Sequence, residues 1–241
     1  MKNIVYPDAS EGIESVLAGR RRKNLEKLGS LKIFYDTPAS HQDFLDRVSG
    51  AHALLVGWAL PVEVMSQTPT LEVLSFTGIG ASNFIDLPAA AAQGITVCNC
   101  PGYADNTVAE HTLALLLAAA RHLPRLNAGL RSGAWNQALQ GTELRGKRLG
   151  LIGFGGIAQR VRELAGVFGM AVSAWTRNPD AARADAHDVT FMSLDELLQT
   201  SDIVSLHVAL NDETRNLIDR ARLNQMKPGV ILVNTARGEL V

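Results

Sequence analysis

The chain has 241 residues, 46% of them hydrophobic and 20% charged, with a formal net charge of −1. Such a composition supplies enough apolar material for one large or two small cores. The near-neutral balance excludes a general electrostatic attraction to nucleic acid or to anionic lipid, so neither is expected as a partner.

Short strand-like and helix-like segments alternate from the first residues on. Met1-Lys2-Asn3-Ile4-Val5 opens as a strand and lacks the pattern of a signal peptide. Strands are expected at Ile4–Tyr6, Lys32–Tyr35, Ala53–Val56, Leu71–Ser75 and Thr96–Cys98, with helices between them such as Asp43–Val48 and Leu87–Gln93. Apolar strands alternating with helices predict parallel sheets covered on both faces.

Cys98 and Cys100 lie two apart in an expected strand and so point to opposite faces, a poor geometry for a disulfide. No second cysteine pair or histidine cluster completes a zinc site, and no metal is expected. Both thiols are expected to be reduced in a cytoplasmic protein. From Asn106 to His122 a long Ala- and Leu-rich helix is expected to pack on more than one side. It reads either as a plain core helix or as a hinge or dimer helix between two domains. Its apolar run Leu113–Ala120 is too short to span a bilayer, so no membrane is expected as a partner.

A second series follows, with strands at Arg148–Ile152, Ala171–Trp175, weakly at Val189–Met192, then Asp202–His207 and Val230–Asn234. Helices are expected from the glycine-rich turn to about Phe168 and at Leu194–Gln199. The boundary between the two series falls near Cys98 to Pro101, giving domains 1–98 and 99–241.

The strongest motif is Gly153-Phe154-Gly155-Gly156-Ile157-Ala158, a G-x-G-x-x-G/A fingerprint after a strand and before a helix. Gly153 permits the tight turn, Gly155 lets backbone approach a pyrophosphate, and Ala158 allows close helix–strand packing. The helix start then offers N–H groups and a positive dipole end to phosphate. NAD-specific sites place an acid about 20 residues after the first glycine. Here that stretch reads Trp175-Thr176-Arg177-Asn178, without an acid. Thr176 and Asn178 can donate hydrogen bonds to a 2′-phosphate and Arg177 can pair with it. NADP(H) is therefore the favoured cofactor and NAD(H) the second choice; the plain alternative makes Arg177 a solvated loop charge.

Several motifs stand together in one order: Thr77-Gly78-Ile79-Gly80, Val97-Cys98-Asn99-Cys100-Pro101-Gly102, Asn106-Thr107-Val108-Ala109-Glu110-His111 and Gly133-Ala134-Trp135. The fingerprint comes next, then Ser201-Asp202-Ile203-Val204-Ser205-Leu206-His207, Lys227-Pro228-Gly229 and Asn234-Thr235-Ala236-Arg237-Gly238. From about residue 50 onward the chain resembles the D-isomer-specific 2-hydroxyacid dehydrogenases, in particular their glyoxylate and hydroxypyruvate reductases.

The resemblance implies an α/β fold of two Rossmann-like or flavodoxin-like parallel-sheet domains, one for substrate and one for NAD(P), with a cleft between them. It implies hydride transfer between a nicotinamide and C2 of a small 2-keto or 2-hydroxy acid. N–H groups around Ile79 and Gly80 would hold the substrate carboxylate. Arg237 would bind that carboxylate and polarise the keto oxygen, a task that suits its planar, permanently charged fork. Thr107 would touch the pyrophosphate, with Thr235, Ala236 and His207 beside the cofactor. A homodimer through the long helix and the Trp135 segment is implied as well.

The family's proton donor, a histidine tuned by a carboxylate, lies downstream of the arginine motif. The sequence reading therefore expects a C-terminally truncated second domain, weakened turnover and an exposed edge at Val230–Asn234. His207 ends a strand at the cofactor side and is not expected to be the acid. Phosphoglycerate dehydrogenases of the family hold substrate phosphate with arginines. Where one would precede the glycine turn this chain has Phe76, and where another would follow the third strand it has Gly57-Trp58. An unphosphorylated keto acid contacting Trp58 and Phe76 is expected, against a plain packing role for both rings. The alternatives are a phosphoglycerate dehydrogenase-type enzyme, a dinucleotide-sensing corepressor-like binding protein and an inert fragment.

Overall fold

A computed structural model describes residues 1–58 and 60–241. The chain divides into two compact units, Met1–Tyr103 and Ala104–Val241. Each is built on one five-stranded, all-parallel sheet. The α/β class expected from the alternation of short strands and helices is the one observed. The division falls after Tyr103, five residues beyond the expected one, because Asn99 and Cys100 hydrogen-bond back to the first unit's glycine turn.

The first unit contains β1 (Lys2–Tyr6), β2 (Gly29–Ile33), β3 (Ala53–Val56), β4 (Val73–Phe76) and β5 (Thr96–Cys98) in the order β2-β1-β3-β4-β5. This is a doubly wound order that reverses between β1 and β3. Its core joins Leu54, Val56, Leu74 and Phe76 of the strands to Val48, Val64, Met65 and Ala90 of the covering helices. β2 begins and ends earlier than the expected Lys32–Tyr35. Its partner β1 sets the register, Lys2 beside Gly29 through Tyr6 beside Ile33. Helix Arg20–Leu28 buries no side chain, so no apolar period marks it in the sequence.

Arg47 is a buried polar anchor of this unit. Its guanidinium donates to the carbonyls of Pro7 and Asp36 and to the carboxylates of Asp36 and Asp43, 2.8–3.2 Å away. Six acceptor atoms satisfy a charge that would otherwise be costly to bury.

The second unit contains β6 (Arg148–Ile152), β7 (Ala171–Trp175), β8 (Thr190–Phe191), β9 (Ile203–Leu206) and β10 (Ile231–Asn234) in the order β10-β9-β6-β7-β8. Counted from β6, this is the dinucleotide-fold order 3-2-1-4-5, and it reverses between β6 and β9. Both faces carry apolar clusters, one under the Asp105–Ala120 and Gly156–Val167 helices and one under Leu194–Thr200 and Arg220–Gln225. β6 and β9 are therefore buried on both sides, as a continuous apolar run predicts.

The long helix spans Asp105–Ala120 and stops where His122 turns to φ 51°. Its buried residues Ala109, Thr112, Leu113, Leu116 and Ala120 form one stripe, while Leu115 is 40% exposed. Within the chain the helix thus packs through one stripe, and the Ala and Leu of its outer face lie at the surface. Among the described residues no helix is long and apolar enough to cross a membrane.

Candidate dinucleotide and substrate-anion sites

The fingerprint turn lies at the carboxyl end of β6, at the reversal of strand order, where open α/β sheets bind ligands. Gly153 has φ 96°, and a Cβ added there would lie 2.6 Å from the carbonyl oxygen of His207. Two backbones cross here at a distance only glycine permits. A Cβ on Gly155 would meet nothing within 4 Å, so this side of the turn is open. Ala158 is fully buried against the sheet. The turn thus fits a pyrophosphate, with close packing behind it and open backbone in front.

Gly156 meets the carboxylate of Asp105, whose Oδ2 would lie 2.0 Å from an added Cβ. The fingerprint leaves this position unspecified; the reason for glycine comes from a residue 51 places earlier. Phe154 and Ile157 face inward. Phe154 is 3% exposed and packs edge-on against Phe191 at 5.4 Å, and Ile157 packs on the same cluster. Their side chains serve the core, a correction to the expectation that they touch cofactor; only their backbone belongs to the turn.

Other motif residues gather at this edge of the second unit. Thr107 is exposed on the first turn of the long helix. Thr112, one turn further along, meets the Thr235 hydroxyl at 3.0 Å. Asn234 accepts from the Ala236 N–H and donates to the Arg237 carbonyl, which fixes the turn that presents Arg237. The Arg237 Nη1 donates to the Ala236 carbonyl at 2.8 Å. Asp202 and Lys227, by contrast, pair with each other at 2.9 Å beyond the opposite ends of β9 and β10. They serve the sheet and not the site.

His207 follows β9, half-buried, with its Nε2 2.9 Å from the Ser205 hydroxyl. Burial without a carboxylate partner pushes its pKa down to about 4. The ring is therefore neutral at neutral pH.

Beyond β7, Arg177 is exposed and ion-paired with Glu213 at 2.5 Å. A surface pocket opens beside it, lined by Trp175, Arg177, Glu213 and Thr214 among others. Thr176 and Asn178 are contacted by a residue the sequence reading passed over. Arg183, on helix Ala181–Ala186, donates through Nη2 to the Asn178 carbonyl at 2.8 Å and reaches Thr176 Oγ1 at 3.4 Å. Only the following helix places it there, so the fingerprint spacing gives no sign of it.

In the first unit, the Gly78-Ile79-Gly80 turn follows β4. The carbonyls of Gly78 and Ile79 are taken up by the Cys100 N–H and the Asn99 amide. Among the described residues the N–H groups of Ile79 and Gly80 donate to no carbonyl, which leaves them available to an anion. Trp58 is 63% exposed, whereas Phe76 is 4% exposed and stacked on Phe84 at 5.1 Å. Phe76 fills the core because β4 points that side chain to the packed face, which corrects the expectation of a substrate contact. Asp8, buried close to Gly57, has a carboxyl pKa raised by burial against the pull of the Gly57 and Trp58 N–H groups.

Comparison with known proteins agrees with this arrangement. The family described as D-isomer specific 2-hydroxyacid dehydrogenase, NAD binding domain, matches residues 113–241. A D-3-phosphoglycerate dehydrogenase of Mycobacterium tuberculosis is 42% identical over 200 residues, covering 82% of this chain and 38% of that protein. A glyoxylate reductase of Aeropyrum pernix is 36% identical over 233 residues, covering 90% of this chain and 69% of its own length. The crystal structure of a glyoxylate reductase from Paecilomyes thermophila superimposes with a TM-score of 0.86 at 28% identity, covering all of this chain and 75% of that one. The chain thus spans well under half the length of the mycobacterial relative and about two thirds of the archaeal one. With the fingerprint turn at the sheet reversal and the Asn234–Gly238 motif beside it, the chain belongs to the D-isomer-specific 2-hydroxyacid dehydrogenase family.

Proposed function

We propose that the protein is an NADP(H)-linked oxidoreductase that interconverts a small 2-keto acid, of the glyoxylate or hydroxypyruvate kind, and its D-2-hydroxy acid. The observation that carries the cofactor half is the end of β7, where Thr176, Arg177 and Asn178 stand without the acid that would repel a 2′-phosphate. A bound reduced nicotinamide supplies the hydride. The chain's own residues bind and orient. Residues 104–241 seat the dinucleotide through Gly153 to Ala158, Thr107, Thr235, Ala236 and the backbone at His207. Residues 1–103 hold the substrate carboxylate on the N–H groups of Ile79 and Gly80. Arg237 binds carboxylate and draws charge onto the keto oxygen, a charge-assisted contact that strengthens as the alkoxide forms.

Trp58 supports an unphosphorylated substrate, because a dianionic phosphate needs guanidinium groups that Gly57-Trp58 and Phe76 do not provide. The 42% identity to a phosphoglycerate dehydrogenase favours the other reading, and substrate and cofactor preference separate the two. Calorimetric titration of the chain is expected to give tighter binding of NADPH than of NADH. Absorbance at the nicotinamide band is expected to fall faster with glyoxylate or hydroxypyruvate than with phosphohydroxypyruvate. NADH preference together with a phosphorylated substrate would replace this reading with the second.

We further propose a cytoplasmic homodimer formed through the outer face of the long helix and the segment at Trp135. The exposed Leu115, Leu123, Leu130 and Trp135 support it. Sedimentation velocity at micromolar concentration is expected to give a dimer, and a lone monomer boundary would refute it.

A further inference from the structure

Two arginines lie near the end of β7, and the structure treats them differently. Arg177 is exposed and already matched by the Glu213 carboxylate. Arg183 makes no ion pair among the described residues. Asp180, three residues before it, caps its helix by accepting from the Ala182 N–H, and Asp185, two residues after it, forms no ion pair with it among the described residues. Of the two arginines, Arg183 is therefore the one that no carboxylate pairs with among the described residues.

Its guanidinium is also held in place. It lies over the Phe191 ring, 5.2 Å from the centroid, and the same ring packs against Phe154 of the fingerprint turn. Nη2 is anchored on Asn178 and Thr176. Nε is buried and has no acceptor. A buried donor without a partner is costly, and a phosphate oxygen is an acceptor that would satisfy it, since Nε and an Nη together form the edge that grips phosphate in bidentate fashion.

We propose that Arg183, rather than Arg177, is the residue that determines 2′-phosphate recognition. Resting on the NADP(H) reading above, it makes contact from the helix that follows the β7 turn. Phe191 sets the plane of the guanidinium, and the Thr176–Asn178 turn sets its distance. Arg177 contributes little, because any phosphate must first draw it away from Glu213.

The test measures the affinity of the full 241-residue chain for NADPH, NADH and 2′,5′-ADP by calorimetry. Wild type is compared with Arg183→Ala, Arg183→Met and Arg177→Ala. The methionine variant keeps an apolar stem over Phe191, and unchanged NADH affinity reports an intact fold. Loss of the Arg183 guanidinium is expected to weaken NADPH and 2′,5′-ADP about 30- to 100-fold, in line with a charge-assisted phosphate contact, with NADH changed less than about 3-fold. Arg177→Ala is expected to weaken NADPH less than about 5-fold, as for an exposed, already paired charge. If wild type prefers NADPH and the Arg183 variants keep that preference, the assignment of Arg183 is overturned and the NADP(H) reading stands. If wild type prefers NADH, or binds neither dinucleotide, both fall.

Discussion

Gly153→Ala is expected to destabilise the second unit by about 2–5 kcal/mol and to abolish measurable dinucleotide binding. Left-handed backbone costs a residue with a side chain about 1–2 kcal/mol, and overpacking a filled site adds about 1–3 kcal/mol. At Gly153 both apply, because φ is 96° and the new methyl would meet the His207 carbonyl oxygen at 2.6 Å and Val208 Cγ1 at 2.9 Å. Neither obstacle is the far end of a flexible side chain; the first is backbone of the neighbouring strand connection. Gly155→Ala gives the contrast. A methyl there meets nothing within 4 Å, so stability is expected to change by less than about 0.5 kcal/mol. It would still occupy the approach of a pyrophosphate, and NADPH affinity is expected to fall at least about tenfold. Urea midpoints and calorimetric titration of both variants separate the two roles. Equal destabilisation by the two substitutions would mean that Gly155 is packed after all, and unchanged NADPH affinity in Gly155→Ala would mean that the open side of the turn is not a ligand approach.

The second large effect is a loss of stability in acid that belongs to His207. Its pKa in the folded chain is about 4, against about 6.5 in an unfolded one. Between these values the unfolded chain binds the extra proton. The contribution of His207 is therefore fully present above about pH 6.5 and is lost as the pH falls toward about 4. The whole window is worth at most about 3 kcal/mol, of which about 2 kcal/mol is expected to be gone by about pH 5. His207→Gln keeps a hydrogen-bonding group near Ser205 and cannot titrate. Urea midpoints for wild type and H207Q, measured near pH 7.5 and pH 5, should show a steeper loss in wild type. Parallel losses would mean that the ring is solvated in both protonation states.

Much of the site was legible because backbone dictates it. A glycine that must turn left-handed, a glycine that must leave room and an alanine under a helix recur at fixed spacing, so Gly153, Gly155 and Ala158 could be assigned from the sequence. β6 and β9 of the second unit were equally plain, since each is buried on both faces and reads as an apolar run, while the two-residue β8 left only a weak signal. The helix Arg20–Leu28, which buries no side chain, was not plain, because no apolar period survives where nothing is buried.

Side-chain roles divided along another line. Sequence alone determined the fold class, the fingerprint turn and the absence of an acid after β7, all set by local spacing and residue type. Only the tertiary structure decided that Phe76 and Phe154 pack inward, that Asp105 requires a glycine at position 156, that Glu213 neutralises Arg177, and that Arg183 faces Thr176 and Asn178. These outcomes depend on which distant segments the sheet order brings together. The physical reason is that a side chain's charge, burial and hydrogen bonds are fixed by neighbours far along the chain, while a backbone turn is fixed by its own few residues.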